Sequence, residues 1–332
     1  MIRGESFPAG SLSRRRFVQL AGASGLGILT GAGRLGASGE VESIAVAEGT
    51  WGRIEKLGEG IWAVASTPLA HDDWTTLCNG GIVAGENRVL VIESFAGPEG
   101  ARLVAEQARQ LCGRWPTDVI VTHYHGDHAN GFEGFADGDN RPALWMTAET
   151  QKWIRNEDAK RDPAPAPLRR ELLEAAMLLD PEEVIHWQLG GLDLTIHPRR
   201  GHTASDVTVE LDEPSIVFCG DLIWNQMFPN FRDTLPSALS ASVRSLQRDS
   251  ATDYVPGHGP LASAADVALF IDLIDSVEMA SRTAIEKGNS AAQAAAGFSL
   301  PQPLRDWHLF RESYFEVAIG AWYKELGIDP MG

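Results

Sequence analysis

One short stretch constrains the fold of this chain more than any other. It places four side chains of kinds that bind metals within six residues, shortly after an apolar run at 119–121. Its members are His123, His125, Asp127 and His128. The apolar run predicts a buried strand that ends where the histidines begin. His123 and His125 are two positions apart, so an extended backbone directs both side chains the same way, and Gly126 then lets the chain turn. Imidazoles and carboxylates are ligands that zinc, iron and manganese prefer, so the stretch predicts a site for two adjacent metals.

Three later segments carry single residues of the same type, each beside a glycine and each after an apolar, strand-like run. They are His202, Asp221 and His258. Loops that leave strand ends are where functional residues gather, and a neighbouring glycine permits close backbone approach. One such loop is weak support, whereas three in this order after the histidine cluster predict a single composite site.

The composition indicates a globular chain with an acidic surface. Its 332 residues fit one large domain, or one domain with an extension, and 44% hydrophobic residues can build a full core. The net charge of −17 argues against nucleic acids and anionic membranes as partners. We therefore expect a small-molecule substrate and leave the oligomeric state open.

Three cysteines without a CxxC pair do not make a disulfide framework. Cys219 lies in an apolar run and is expected in the core. A bridge between Cys78 and Cys112 stays open as an alternative after export.

The N-terminal residues 13–18, with the sequence SRRRFV, have the order of a twin-arginine export signal. The apolar stretch that follows is interrupted by glycines and is weaker and shorter than a membrane-spanning helix. In bacteria, a twin-arginine signal is a targeting sequence that a receptor recognises, and it does not act as a membrane anchor. We predict that residues 1–40 are a signal peptide and linker, cleaved near Ala37 or Ala47. The mature protein is then periplasmic or secreted, without a stable membrane anchor.

Strands and helices alternate in two similar halves, which predicts two packed sheets with helices outside, in the α+β class. We expect a main domain at 41–288 and a helical C-terminal extension at 289–332. Helices are predicted at 98–111, 148–158, 168–179, 236–248, 264–287 and 304–326. Aromatic residues along the last segment favour packing or a dimer face over a cofactor site. They are Trp307, Phe310, Tyr314, Phe315 and Trp322.

The histidine cluster and the later single residues resemble the HxHxDH signature and ligand set of metallo-β-lactamase-fold hydrolases, over residues 44–287. The resemblance implies a four-layer αββα sandwich with a binuclear site between its halves. By the family's pattern, the first metal is held by His123, His125 and His202. The second is held by Asp127, His128 and His258, and Asp221 bridges both. The implied cofactor is two Zn²⁺ per chain, with iron or manganese as alternatives.

Two close cations lower the pKa of a shared water and make hydroxide available to attack a carbonyl. The predicted catalytic residues are Asp127, His128 and Asp221, with Asp127 orienting the nucleophile or moving a proton. An aspartate at 221 resembles the glyoxalase II and lactonase branches, since β-lactamases with this signature generally have cysteine or serine there. We therefore expect a dinuclear zinc hydrolase of a small ester, thioester or lactone-type carbonyl.

Three alternatives stay open. One is an exported β-lactamase, and another is a non-catalytic metal-binding accessory protein of a periplasmic redox system. The third is a mono-iron dioxygenase that uses His123, His202 and Asp221. The export signal and helical C-terminus resemble exported hydrolases of the sulfur-oxidation and quinoprotein-associated type.

Residues outside the ligand set are expected to shape the pocket. Two segments offer apolar walls: 68–76, with His71 and Trp74, and 224–229, with Trp224. Arg199 and Arg200 either bind a substrate carboxylate or are exposed solubilising charges. The remaining histidines are expected to be structural, on strands or in the last helix. They are His186, His197 and His308.

Overall fold

The computed structural model describes residues 43–66, 68 and 72–331. The predicted signal peptide and linker at 1–40 and the pocket candidate His71 lie outside these residues. The first sheet consists of β1 (Ile44–Gly49), β2 (Gly52–Gly58), β3 (Ile61–Ser66), β4 (Gly80–Ala84), β5 (Val89–Ile92), β6 (Asp118–Ile120), β7 (Ala143–Thr147) and β8 (Met177–Leu179). The second consists of β9 (Ile185–Gln188), β10 (Asp193–Arg199), β11 (Asp206–Leu211), β12 (Ile216–Trp224), β13 (Asp253–His258) and β14 (Ala262–Ser263).

The helices of the described residues follow or flank these strands. They are α1 (Pro98–Cys112), α2 (Gly126–Ala129), α3 (Ala148–Asp158), α4 (Pro167–Glu174), α5 (Pro236–Ser245), α6 (Ala264–Glu286), α7 (Ala291–Gly297) and α8 (Ser313–Glu325). Short 3-10 turns occupy Phe132–Phe135 and Gln302–Leu304. None of these helices combines the length and apolarity that a membrane crossing requires.

The two sheets differ in strand direction. In the first, strands β1 to β5 are antiparallel neighbours in chain order, and β5 to β8 are parallel. In the second, the order is β14-β13-β12-β11-β10-β9, and only β12 and β13 run parallel. Parallel neighbours end at the same sheet edge, so residues that follow β5 and β6 come close together there, as do residues near the ends of β12 and β13.

Alternating side chains on the strands create the layers. Val89 and Val91 of β5 pack with α1 in an outer cluster, whereas Leu90 and Ile92 pack against the second sheet. Strand β12 alternates in the same way between the shared core and the cluster under α5 and α6. The layer order is therefore helix, sheet, sheet, helix. This confirms the predicted α+β class and αββα sandwich.

Helix α1 shows how local signals set an element's bounds. Proline occupies its first position, and Gly113 ends it in a left-handed conformation, with φ 74°. Its buried side chains recur at helical spacing and face the first sheet. They include Ala101, Val104, Ala105 and Ala108.

Two predicted helices differ from the structure because backbone pairing prevails over local periodicity. Helix α4 ends at Glu174, and Met177–Leu179 instead forms β8, a parallel neighbour of β7. The last helix begins at Ser313 rather than at 304, because His308 forms a bridge to Met227. The predicted position of His308 in a helix is therefore wrong. Helix α5 also ends earlier than expected, at Ser245.

The C-terminal region packs onto α5 and α6. Leu304 and Trp322 are buried in the same apolar cluster as Phe270 of α6. Phe315 contacts Phe228 edge to face, at 4.9 Å between ring centroids. The aromatic stripe thus serves packing, as expected. The domain boundaries at 41 and 288 stay predictions.

All three cysteines are free thiols, so the alternative of a Cys78–Cys112 bridge is wrong for this structure. Cys219 is buried in the core, as predicted. Cys78 is also buried, and burial raises its thiol pKa to about 12, which keeps it protonated.

Candidate metal centre

The structure brings all seven predicted ligand side chains together in two adjoining groups. The first group is His123, His125, His202 and Asp221, and the second is Asp127, His128 and His258. Within each group the candidate ligand atoms lie within 4.8 Å of one another. The division matches the first and second metal sets that the resemblance implies, except that the bridging aspartate is counted with the first. Metal binding by each residue stays a prediction.

The histidine cluster follows β6 and turns at once into the single-turn helix α2. His125, the N-cap of α2, is extended, so His123 and His125 leave the strand end together. The turn of α2 then brings His128 back beside His123, with ring centroids 4.3 Å apart. One short segment therefore supplies ligands to both groups, as the spacing predicts.

Asp221 lies inside β12 rather than in the loop that the sequence suggested. The pairing of β12 with β13 is irregular on both sides of Gly220, and such irregularities re-aim side chains. Gly257 of β13 permits the close approach, because a Cβ at this position would lie 1.9 Å from Asp221 Oδ1. His258 follows immediately at the end of β13.

The carboxylate of Asp221 faces both groups, with one oxygen towards each. Its Oδ2 lies 3.2 Å from His202 Nε2 and 3.7 Å from His123 Nε2. Its Oδ1 lies 3.1 Å from His128 Nε2 and 3.4 Å from His258 Nε2. This is the arrangement that a carboxylate bridging two cations requires.

Several buried polar atoms of the centre form no hydrogen bond within the described structure. They are His123 Nε2, His128 Nε2, His258 Nε2 and Asp221 Oδ1. A buried polar group without a partner costs about 1–3 kcal/mol, so these atoms call for a ligand. Imidazole nitrogens and carboxylate oxygens at this spacing suit zinc and related cations. The residues present therefore fit a metal.

Protonation in the centre follows from burial and from the facing carboxylates. Burial lowers the pKa of His202 to about 3 and keeps the ring neutral. Burial also opposes a charge on His258, but Asp221 and Asp127 outweigh it and raise its pKa to about 9. Although burial favours its neutral form, the neighbouring His128 holds the pKa of Asp221 well below its usual range. Metal binding must therefore release a proton from His258.

Glu93 supports His128 from behind and was not predicted from the sequence. It is buried, its Oε1 lies 3.0 Å from His128 Nδ1, and it accepts a 2.6 Å hydrogen bond from Thr122 Oγ1. Such a carboxylate fixes the orientation of a ligand ring. Glu93 has a φ of 80°, a strained value for a residue with a side chain. Its only sequence signal is an acidic residue directly after the apolar strand β5.

Asp206 fixes the turn that carries His202. Its carboxylate accepts hydrogen bonds from the backbone N–H and the hydroxyl of Thr203, at 3.0 and 2.8 Å. Burial raises the pKa of Asp206 to about 7, although the bonds from Thr203 act in the opposite direction. The turn is thereby set by a side chain four positions later in the chain.

Asn79 fixes the segment that carries His258. Its Nδ2 donates to the carbonyls of Pro256 and Gly259, at 2.9 and 2.8 Å. Because Asn79 precedes β4 of the first sheet, the first half of the fold holds a ligand segment of the second half. Sequence reasoning missed this residue, since its partners lie 177 and 180 positions away.

Solvent reaches the seven clustered side chains mainly at His125 and Asp127. The side chains of His125 and Asp127 are 19% and 24% exposed, whereas the other five are at most 2% exposed. Tyr124 borders this opening and stacks on Trp153, with centroids 4.5 Å apart. Asp233 also reaches it, and its Oδ2 lies 2.9 Å from His125 Nε2. We refer to this exposed side as the opening.

Tyr314 of α8 lies within electrostatic range of the centre. Burial raises the pKa of its hydroxyl, Arg311 and Arg232 oppose the rise, and Asp127 and Asp221 add to it. The carboxylates of the centre are therefore among the charges that act on a hydroxyl of the C-terminal region. The sequence pattern had assigned this residue to packing alone, because it belongs to an aromatic stripe.

Other predicted pocket residues have different positions. Arg199 donates to Glu210 and Thr208, at 2.7 and 2.9 Å, and its side chain is 10% exposed, so neither alternative, a substrate-carboxylate site or an exposed solubilising charge, describes it. These hydrogen bonds connect β10 and β11 of the second sheet. The side chain of Arg200 is exposed, and its alternative roles stay predictions.

Trp224 is buried, and its ring lies 4.2 Å from that of His258, so it packs beneath a ligand. Trp74 is 40% exposed. His186 and His197 lie on β9 and β10 and belong to neither ligand group, as expected.

Comparison with known proteins gives related sequences at low identity. Acyl-coenzyme A thioesterase MBLAC2 from Homo sapiens is 24% identical over 53% of this chain and 67% of that protein. Metallo-beta-lactamase type 2 from Bacillus cereus is 23% identical over 67% of this chain and 82% of that protein. Hydroxyacylglutathione hydrolase from Rhodopseudomonas palustris (strain BisB5) is 23% identical over 60% of this chain and 70% of that protein. These relatives are hydrolases.

Solved structures share the fold. A metallo-beta-lactamase from Pontibacter korlensis has a TM-score of 0.55 at 19% identity, over 67% of this chain and 98% of that one. A sec-alkylsulfatase from Pseudomonas sp. has a TM-score of 0.63 at 16% identity, over 82% of this chain and 50% of that one.

The family model for the metallo-beta-lactamase superfamily matches residues 74–258. Because this match spans more than half of the chain and contains all seven clustered side chains, the chain belongs to the metallo-beta-lactamase superfamily.

Proposed function

We propose that this protein is an exported dizinc hydrolase that cleaves a thioester, or a related ester or lactone carbonyl. The observation that carries the proposal is the position of Asp221, which presents one carboxylate oxygen to each of two ligand groups. A carboxylate between two sets of imidazoles is suited to hold two cations close together. When bound, such cations lower the pKa of a water molecule and polarise a carbonyl oxygen.

The residues of the chain then have separable roles. Asp221 and the buried histidines hold the ions in a fixed arrangement. Asp127 is the carboxylate of this set that reaches the opening, so it is placed to orient a water or accept its proton. His128 and His258 hold the pKa of Asp127 below its usual range despite burial. Asp127 is therefore ionised near neutrality, and as a weak base it is better suited to orient a water through a hydrogen bond than to keep its proton.

The substrate class is supported by the relatives and by the identity of residue 221. Two relatives are named for substrates with an acyl group on sulfur, acyl-coenzyme A and hydroxyacylglutathione. An aspartate at the bridging position agrees with the glyoxalase II and lactonase branches. A thioester is also well suited to metal-assisted hydrolysis, because the thiolate leaves readily.

A β-lactamase is the second candidate, supported by the likeness to the Bacillus cereus enzyme over 82% of that protein. Asp221 argues against it. The accessory-protein and mono-iron alternatives need fewer ligands than the seven that cluster here.

The experiment combines metal counting with a substrate panel on the full chain. Purified protein loaded with zinc is tested on acyl-coenzyme A, acylglutathione, lactones, aryl esters and β-lactams. We expect about two zinc ions per chain and the highest kcat/KM for a thioester. A single bound iron, or no turnover on any substrate, would overturn the proposal, and a preference for β-lactams would favour the second candidate.

Export is proposed from residues 13–18 and is tested separately. Replacing both Arg14 and Arg15 with lysine should retain the protein in the cytoplasm of a bacterial host with a twin-arginine system. Equal periplasmic amounts of the parent and the double variant would contradict this route.

A further inference from the structure

We propose that Asp233 is a positioning residue that fixes the ring of His125 for metal binding. The inference rests on the metal-binding part of the proposed function and not on its substrate. Asp233 Oδ2 lies 2.9 Å from His125 Nε2. The other ring nitrogen, His125 Nδ1, lies 2.9 Å from His202 Nε2, within the first ligand group.

The two nitrogens of His125 therefore face opposite ways. When the carboxylate accepts a hydrogen bond from Nε2–H, the lone pair of this tautomer is on Nδ1, directed at the ligand group. Ligand histidines commonly donate their second ring N–H to a carboxylate, which fixes both tautomer and orientation. Asp233 meets this requirement from a segment 108 positions later in the chain.

His125 needs such a partner more than the other histidines do. Its side chain is 19% exposed, whereas those of His123 and His202 are 1% exposed and held by packing. Without a hydrogen bond, a ring at the opening can rotate away from the centre. The carboxylate thus replaces the packing that this ligand lacks.

Asp233 is itself held in place by the turn that carries His202. The neighbouring Thr234 donates its hydroxyl to the carbonyl of His202 at 3.3 Å. Leu235 N–H donates to the carbonyl of Gly201 at 2.8 Å. One segment, 233–235, therefore aligns the His125 ring with the His202 turn.

The test measures zinc affinity without any substrate, using competition with a chromogenic chelator on the full chain. Asp233→Ala should weaken one of two zinc-binding events by about 10- to 100-fold and leave the other within about 2-fold. Asp233→Asn, which keeps an acceptor oxygen, should lose less. Asp212→Asn is the matched control, because that side chain is 89% exposed and lies outside the ligand groups.

Nitrogen-15 NMR of the histidine rings supplies a second readout. In the zinc-free parent we expect the His125 tautomer with its hydrogen on Nε2 to predominate over the Nδ1 tautomer, and in Asp233→Ala a mixture of the two. Zinc affinities equal to those of Asp212→Asn, or an unchanged tautomer in Asp233→Ala, would overturn the proposal. A protein that binds zinc in this pattern but hydrolyses nothing would refute only the proposed substrate chemistry.

Discussion

At the scale of single residues, Asp221 joins two sets of ligands into one centre. Each of its oxygens faces a different set, and the backbone can bring it there because residue 257 is glycine. A longer side chain at 221 would displace the histidines, and a neutral one would remove the negative charge that lies between the two groups. The residue therefore sets both the spacing and the charge of the centre.

Replacing Asp221 with asparagine tests this role. We expect the zinc content to fall below two per chain and kcat/KM to fall by more than the roughly 100-fold that a supporting residue costs. The fold should persist, because asparagine has nearly the same volume. Metal analysis, circular dichroism and kinetics check this, and unchanged rates would refute the bridging role.

Tyr314 is the second residue whose hydroxyl can be tested alone. Burial is the main cause of the raised pKa of this hydroxyl, and Asp127 and Asp221 add to it, so we predict that it has a polar role at the centre besides its packing against Phe310. Tyr314→Phe should lower kcat/KM by about 10-fold, the loss expected for one hydrogen bond to a charged group, with zinc content unchanged. Tyr323→Phe is the control, because that hydroxyl donates to the carbonyl of Asn289. Equal kinetics for the two variants would exclude a role for Tyr314.

At the scale of elements, local signals predicted some segments well and tertiary pairing decided the others. Helix α6 begins at a capping box formed by Ser263 and Asp266, and it runs almost as predicted. Strand β8 has no such signal, since only its pairing with β7 distinguishes it from a helix end. The chain near His308 likewise joins the segment after β12 through backbone bonds.

The same contrast applies to the site. The seven clustered side chains belong to short motifs that follow apolar runs in the sequence and contain a glycine, so the sequence revealed them. Glu93, Asn79 and Asp233 could not be found in this way, because a single polar residue beside a strand or in a loop looks like ordinary surface. Their partners lie 29 to 180 positions away.

Helix α8 packs in the core beside α5 and α6. Trp322 is 2% exposed in the cluster that α5 and α6 share. Trp322→Ala should lower the free energy of unfolding by about 3–5 kcal/mol, as expected for an aromatic side chain removed from a core. Met279→Ala, at a position on α6 that is 69% exposed, should change it by less than about 0.5 kcal/mol. Chemical denaturation measures both, and a similar small effect for Trp322 would show that α8 is loosely attached.

At the scale of the whole molecule, the centre ties the two halves of the fold together. His123, His125, Asp127 and His128 come from the first half, and His202, Asp221 and His258 from the second. Asn79 adds a direct link between the halves. The buried polar atoms without hydrogen bonds lie at this junction. In the metal-free protein, the free-energy cost of leaving these atoms unpaired therefore falls there.

Removing the metal should therefore destabilise the entire fold. A ligand at 1,000 times its Kd contributes about 4 kcal/mol of stability, so a chelator should lower Tm markedly. Added zinc should restore it, and magnesium, which prefers oxygen ligands, should not. Calorimetry provides the measurement, and a Tm unaffected by chelator would mean that the seven side chains hold no ion.

The opening at His125 and Asp127 has a kinetic consequence. Since the other five clustered side chains are almost fully enclosed, we expect an ion to enter and leave the folded protein past these two side chains. We expect substrate to reach the centre by the same path, so metal ions and substrate both pass through the opening. We therefore expect bound substrate to slow the loss of the ions, so that a protein turning over substrate loses its metal more slowly than an idle one.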